Sequence, residues 1–153
     1  MNELLDDLQF FVASALPQLL AAIPITLALT VISGVIGNLL ALPVAVARTS
    51  PNPLLWTPAY LYILVMRGTP LLIQMYLIYY GLGEILPGTW VRHSWLWPYL
   101  RQGFWYAVFS LSLNTAGYTG EILRGALQAV PHGEIEAGRA FGMTSWLIFW
   151  RVK

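Results

Sequence analysis

Three long runs of apolar residues, separated by short polar segments, dominate the pattern of this chain. They cover residues 16–47, 54–82 and 104–127. Each run exceeds the ~20 residues that an α-helix needs to cross the hydrocarbon core of a bilayer. The pattern therefore predicts an all-α membrane protein with three transmembrane helices, followed by a polar and helix-prone tail.

The segments around these runs divide the chain into three predicted parts. Residues 1–15 place apolar side chains at helical spacing with acids opposite, as in a helix lying on the membrane surface; a frayed polar lead-in is the alternative. Residues 16–130 form the predicted transmembrane domain, whose Trp- and Tyr-rich stretch 83–103 is expected at headgroup level. Residues 131–153 form the predicted cytoplasmic segment.

Composition supports the membrane class and excludes several kinds of site. Of the 153 residues, 58% are hydrophobic and 10% are charged, whereas soluble domains average about 25% charged residues. Mean hydropathy is +0.64. A net charge of +1 gives no electrostatic reason to expect a nucleic acid partner. The chain has no cysteine and its two histidines lack metal-ligand spacing, so neither a metal nor another cofactor is predicted.

The placement of lysine and arginine predicts the orientation in the membrane. The first eleven residues have three acids and no basic residue, which argues against a cleaved signal peptide. The first loop carries Arg48, and the tail carries Arg139, Arg151 and Lys153. Because basic residues are enriched in cytoplasmic loops, the N-terminus is expected outside and the tail inside, although the second loop also has two arginines.

The polar tail predicts two short helices joined by a tight turn. Pro131 suits a helix start, because the N–H that it lacks would have no partner there. Gly142 can close this helix in the left-handed conformation. Thr144 or Ser145 can then cap a second helix over residues 146–151.

One side of the first tail helix is predicted to form a small, mostly flat knob. Ala137, Ala140 and Phe141 share that side at helical spacing. Such a knob could seat in a groove on a soluble partner and move when the groove moves. An ordinary amphipathic juxtamembrane helix is the alternative that the spacing leaves open.

The tail also resembles a known loop. Residues 130–143 read VPHGEIEAGRAFGM and are similar to the ATPase-coupling loop of polar amino acid permeases of ABC importers, in wording closest to the histidine/lysine/arginine/ornithine and opine type. The resemblance implies that the ATPase-coupling residues are Glu136, Ala137, Gly138, Ala140, Phe141 and Gly142. Gly138 stands where the family usually has a second alanine. Because glycine is the weaker helix former by about 1 kcal/mol, the coupling helix could be looser here.

Two further stretches resemble the second-span and third-span signatures of the same family. They read MRGTPLLIQMYLIYYG over residues 66–81 and LSLNTAGYTGEILRG over residues 111–125. The implied fold is that of an ABC type I importer permease, with about five transmembrane helices in complete members and three here. The chain ends at Lys153, one position before the family's loop continues with Leu-Pro, so a C-terminal truncation is expected.

Polar residues inside the second run suggest a substrate path. Arg67 would be a costly charge at bilayer depth, and the neighbouring Gly68 and Pro70 allow a broken helix. Transporters use such breaks near substrate sites. In the family this stretch lines the translocation path, which implies that Thr69 and Gln74 face the pore. The alternative for Arg67 is that its side chain snorkels to the cytoplasmic surface.

The third run carries a polar stripe at helical spacing, which should face protein or water. Its members are Asn114, Gly117, Glu121 and Gln128. Glu121 is the candidate for binding an ammonium or guanidinium group of a substrate, and Asn114 and Glu121 complete the predicted path. The alternative is a structural ion pair of Glu121 with Arg124, three residues later.

The resemblance implies a permease subunit of an ATP-driven importer in the bacterial inner membrane, moving basic amino acids or opines by alternating access. Substrates of the glutamine or glutamate type are the alternative. The implied partners are a cytoplasmic dimer of ATP-binding subunits, a periplasmic amino-acid-binding protein, a second permease subunit and membrane lipid.

The chain itself is not expected to be an enzyme. It contains no phosphate-binding loop of the Gly-x4-Gly-Lys-Ser/Thr type, so ATP hydrolysis is assigned to the partner. No Ser/His or paired-acid constellation occurs in the spans, which disfavours a membrane enzyme. A structural or regulatory membrane protein with an interaction helix is the alternative of another class.

Overall fold

The computed structural model describes residues 10–85, 88, 93–95, 97–100 and 102–152. Within these ranges the chain is helical and contains no strand, which confirms the all-α prediction. The helices are α1 (Leu16–Thr49), α2 (Pro53–Gly68), α3 (Leu71–Ile85), α4 (Trp97–Leu100), α5 (Gly103–Ala129), α6 (His132–Ala140) and α7 (Ser145–Arg151).

The first apolar run forms one long helix. A π-helical turn over Phe11–Ala15 leads directly into α1. Together they make a helix of 39 residues, Phe11–Thr49, which contains an 18-residue stretch with a mean hydropathy of 2.4 and is long and apolar enough to cross a bilayer by itself. The last residues of the predicted lead-in therefore belong to the same helix as the first span. Residues 1–9 of that lead-in lie outside the described residues.

The second apolar run is a bent pair of helices. The helix axis changes direction by 110° between Pro53–Gly68 and Leu71–Gly81. Between them Thr69 is extended, with φ −117° and ψ 143°. Proline causes this locally, because Pro70 has no N–H to donate and its ring disfavours a helical conformation at the preceding residue. The predicted interruption of the second run is confirmed.

Helix α5 lies at the centre of the fold and packs most extensively against α1. A Cβ atom at Gly37 would lie 2.6 Å from Thr115 Cβ, and one at Gly120 would lie 3.0 Å from Val44 Cγ1. These contacts advance in the same direction along both helices, so α1 and α5 are parallel. Small residues thus let the two backbones approach closely, as is common between membrane helices.

Parallel packing places the C-terminal ends of α1 and α5 on the same side of the molecule. Helix α3 runs the opposite way, because Tyr79 contacts Tyr106 near the start of α5 and Gln74 contacts Asn114 further along it. The bent pair thus returns the chain to the side from which α5 starts. This alternation is the one that the predicted orientation requires.

The surface of the helical bundle is rich in exposed apolar side chains. Examples on α1 are Val31 and Leu39, which are 61% and 63% exposed. Few side chains of the described residues are buried, and most of these are small. Such a surface suits lipid or further protein rather than water.

Candidate functional site: the tail helices and the helix bend

The first tail helix, α6, ends in a closed glycine turn. Gly142 has φ 77°, which confirms its predicted left-handed conformation. Its N–H donates to the carbonyl of Arg139 at 2.9 Å, and the N–H of Met143 donates to the carbonyl of Gly138 at 3.0 Å. This pair of bonds is the Schellman arrangement, which satisfies carbonyls at a helix end. The end of α6 is therefore defined by backbone geometry.

The second tail helix, α7, is capped and packed against α6. The Thr144 hydroxyl accepts a hydrogen bond from the N–H of Leu147 at 3.3 Å, so the cap predicted at Thr144 or Ser145 is Thr144. Ile148 is 5% exposed and lies over Gly138, where a Cβ would be 3.3 Å from Ile148 Cγ1. Gly138 therefore does more than weaken the helix, because it also lets α7 approach.

The predicted knob on α6 is open to solvent. Glu136, Ala137 and Ala140 are exposed, and Phe141 is 84% exposed. Glu134 lies in the first turn of α6, whereas Glu136 lies beyond it. The exposed residues form a small surface with one aromatic side chain and one acid, held in place by the turn and by α7.

A polar cluster around the buried Gln74 lies at the bend between α2 and α3. Gln74 is only 6% exposed. Its Nε2 lies 2.8 Å from Thr69 Oγ1, 3.0 Å from the Thr69 carbonyl and 3.0 Å from the Met66 carbonyl. Asn114 of α5 donates to Gln74 Oε1 at 3.2 Å. The structure thus brings together three of the predicted path residues, namely Thr69, Gln74 and Asn114.

A second cluster carries charge at the C-terminal ends of α1 and α5. Glu121 Oε1 accepts from Arg124 Nε at 2.9 Å and from Arg124 Nη2 at 2.7 Å. Arg48 Nη2 is 3.8 Å from the other carboxylate oxygen of Glu121. The Arg48 guanidinium also lies 4.9 Å from the ring centroids of Trp56 and Tyr60. Glu121 is therefore already paired with protein cations.

Arg67 belongs to neither of these two clusters. Arg67 is exposed, and its guanidinium carbon lies 5.6 Å from the ring centroid of Tyr118. A cation over an aromatic face at this distance is weakly attracted to it. The five predicted path residues thus divide into the polar cluster at the bend, the paired Glu121 and the exposed Arg67.

The chain matches the family described as "Binding-protein-dependent transport system inner membrane component" over residues 37–152. That range contains the bend, α5 and both tail helices. The chain belongs to this family. Membership agrees with the resemblance found in the sequence.

Individual relatives have narrower names. The chain is 52% identical to the octopine transport system permease protein OccM of Rhizobium meliloti over 134 residues, covering 88% of this chain and 54% of the relative. It is 45% identical to the nopaline permease NocM of Agrobacterium fabrum, covering 95% and 59%. It is 42% identical to the histidine/lysine/arginine/ornithine permease HisM of Escherichia coli K12, covering 83% and 52%.

Solved structures support the family fold. A crystal structure of an amino acid ABC transporter with histidines matches with a TM-score of 0.68 and 33% identity, covering 89% of this chain and 58% of that one. The inward-facing MetNI methionine ABC transporter matches with a TM-score of 0.64 and 26% identity, covering 88% and 60%. The chain spans little more than half the length of the relatives it matches.

Several residues that contact the predicted path residues could not be identified from the sequence. Arg48, Trp56 and Tyr60 come together only in the folded chain, and Tyr118 meets Arg67 in the same way. Arg48 carries the first charge after the first apolar run, and this was the one signal that could have singled it out. The role of the Met66 carbonyl as a hydrogen-bond acceptor was predictable, because a helix broken by proline leaves carbonyls without backbone partners at its end.

Proposed function

We propose that this chain is part of a permease subunit that imports basic amino acids or opines, driven by a partner ATPase. The observation that carries the proposal is the exposed knob of α6, whose Phe141 is 84% exposed in a region that matches the family. The names of the similar permeases, for octopine, nopaline and basic amino acids, support the substrate class.

The knob is the proposed docking surface for the ATP-binding subunit. A surface of small side chains at Ala137 and Ala140, with Phe141 projecting, suits insertion into a groove. The Schellman turn at Gly142 and the contact of Gly138 with Ile148 hold it rigidly, so movement of the groove would be passed to the chain. The further proposed partners are a periplasmic amino-acid-binding protein, a second permease subunit and membrane lipid.

The proposed orientation places α6 and α7 in the cytoplasm and the N-terminus outside, in the bacterial inner membrane. Arg48 and Arg124 lie towards the C-terminal ends of α1 and α5, which this orientation turns inwards, and Arg139 and Arg151 lie in α6 and α7. Cytoplasmic flanks carry such an excess of arginine and lysine.

The proposed substrate path passes the bend between α2 and α3. Arg67 and Thr69 are exposed there, so they are the proposed contacts. Gln74 and Asn114 stand behind Thr69 with their amide groups engaged. The pairing of Glu121 with Arg124 favours the structural alternative for that acid.

A single substitution on the knob tests the coupling proposal. In the complete permease, co-expressed with its ATP-binding subunit, Glu136→Lys is expected to abolish co-purification and arginine uptake. Asn38→Leu is the control, since Asn38 is exposed on α1 and its amide donates to the carbonyl of Gly34 in its own helix. Full co-purification of the Glu136→Lys permease would contradict the docking role and favour a membrane protein of another kind.

Competition identifies the substrate class. Uptake of labelled arginine by the assembled transporter is expected to be reduced by unlabelled lysine, ornithine or octopine and not by glutamine. Inhibition by glutamine alone would favour the glutamine and glutamate class instead.

A further inference from the structure

The end of α2 is completed by a side chain from the next helix. An α-helix leaves its last carbonyls without partners, and Pro70 prevents the chain from continuing the ladder. The Gln74 amide lies within hydrogen-bonding distance of the Met66 carbonyl and of both oxygens of Thr69. The 110° bend is thereby fixed by hydrogen bonds from a single buried side chain.

Helix α5 also contacts the bend. Asn114 donates to Gln74 Oε1 at 3.2 Å and lies 3.4 Å from the Met66 carbonyl. One turn away, a Cβ at Gly117 would be 2.7 Å from Met66 Cβ, so the two backbones are close. The amide pair therefore connects α2, α3 and α5 at one place.

The same helix leads directly to the tail. Helix α5 ends at Ala129, and only Val130 and Pro131 separate it from α6. At 1.5 Å per residue, Asn114 lies roughly 22 Å along the helix from Ala129. A displacement applied at α6 would thus reach Asn114 through one continuous helix.

We infer that Gln74 and Asn114 are positioning residues that transmit movement of α5 to the bend between α2 and α3. The inference rests on the proposed function, because it takes α6 as the point at which the ATPase acts. A part-buried amide pair suits this role, since separating the two side chains would leave the amide of the buried Gln74 without this partner. A displacement of α5 should therefore alter the bend and change the distance between α3 and α5.

The test compares leucine variants in the assembled transporter. Gln74→Leu, Asn114→Leu and the double variant are reconstituted in proteoliposomes with the ATP-binding subunit and the amino-acid-binding protein. The measured quantity is arginine imported per ATP hydrolysed. Each single variant is expected to lower it about tenfold, and the double variant no further, because both remove one shared connection. Asn38→Leu, which removes an amide bonded only within α1, should leave the ratio unchanged.

A second readout follows the bend without relying on the substrate. The chain has no cysteine, so spin labels can be placed at the exposed positions Leu72 on α3 and Ile122 on α5 in a permease free of other cysteines. In the complex without further substitutions, the two labels are expected to give one narrow distance distribution, and ATP is expected to shift it. In the double leucine variant the distance should broaden and lose its dependence on ATP.

Several outcomes would overturn the inference. They are single effects that multiply in the double variant, an unchanged ratio accompanied only by lower yield of assembled complex, or an ATP-dependent distance that survives both substitutions. A different result would count against the proposed function instead. If the labels respond to ATP through Gln74 and Asn114 while arginine is not imported, the connection is supported and the substrate assignment fails.

Discussion

Gly138 of α6 lies beneath Ile148 of α7, so close that a Cβ atom at Gly138 would be 3.3 Å from Ile148 Cγ1. The contact explains why Gly138 is buried although its neighbours Ala137 and Arg139 are exposed. It also holds α6 against α7, while Phe141 remains 84% exposed. Glycine at position 138 therefore has a packing consequence.

Substituting Gly138 should separate helix propensity from packing. Gly138→Ala adds a better helix former by about 1 kcal/mol, while Ile148 must yield by a few tenths of an ångström. We expect the two effects nearly to cancel in the thermal midpoint of the assembled transporter. Gly138→Leu should displace α7 and reduce ATPase co-purification. Gly133→Leu is the control, since nothing lies within 4 Å of a Cβ there.

The packing explanation also predicts a rescue. Ile148→Ala should restore co-purification to the Gly138→Leu permease, because it removes the atoms that the leucine would meet. Equal loss in Gly133→Leu and Gly138→Leu, with no rescue, would show that the contact is not what matters.

Gly142 should tolerate few replacements. Its φ of 77° lies where residues with a Cβ are strained by about 1–2 kcal/mol. Gly142→Ala is therefore expected to weaken ATPase binding by about tenfold, and Gly142→Asn by less, because asparagine enters this conformation more readily. Affinity of the purified permease for its ATP-binding subunit measures both, with Gly133→Ala as the control. Equal affinities for the alanine and asparagine variants would argue against backbone strain as the cause.

Local rules were sufficient for the features that depend on a few neighbouring residues. Pro70 predicted the break in the second run, Gly142 predicted the helix end, and Thr144 was one of two predicted caps. Each follows from backbone chemistry within about one turn. The helical runs themselves follow from apolar length, which is why the fold class was predictable.

Contacts between distant segments were not predictable from the pattern. Asn114 and Gln74 are forty positions apart, and only the bend and the close approach of α5 bring them together. No pattern in the chain pairs Arg48 with Glu121 across α1 and α5. A polar stripe predicts that a helix face meets protein or water, but the identity of its partner depends on how the helices pack.

Gly117 should be required for the approach of α5 to α2. A Cβ there would lie 2.7 Å from Met66 Cβ, and this part of a side chain cannot rotate away. Gly117→Ala is expected to lower the yield and thermal midpoint of the permease. Gly125→Ala on the same helix meets nothing within 4 Å and should be neutral or stabilising by up to about 1 kcal/mol. Indistinguishable midpoints for the two alanine variants would contradict the close packing.

Glu121 should stabilise the packing of α1 and α5 towards their C-terminal ends. Its side chain is 20% exposed and paired with Arg124 at 2.7 Å, with Arg48 at 3.8 Å. Glu121→Gln leaves two arginines without a counter-charge, so we expect a loss of about 1–3 kcal/mol in unfolding free energy. Glu134→Gln, an exposed acid of α6, is the control and should change stability by less than about 0.5 kcal/mol. Thermal unfolding of both purified variants decides between the roles. If Glu121→Gln is as stable as Glu134→Gln but loses selectivity for arginine over glutamine, Glu121 contacts the substrate and the ion pair is incidental.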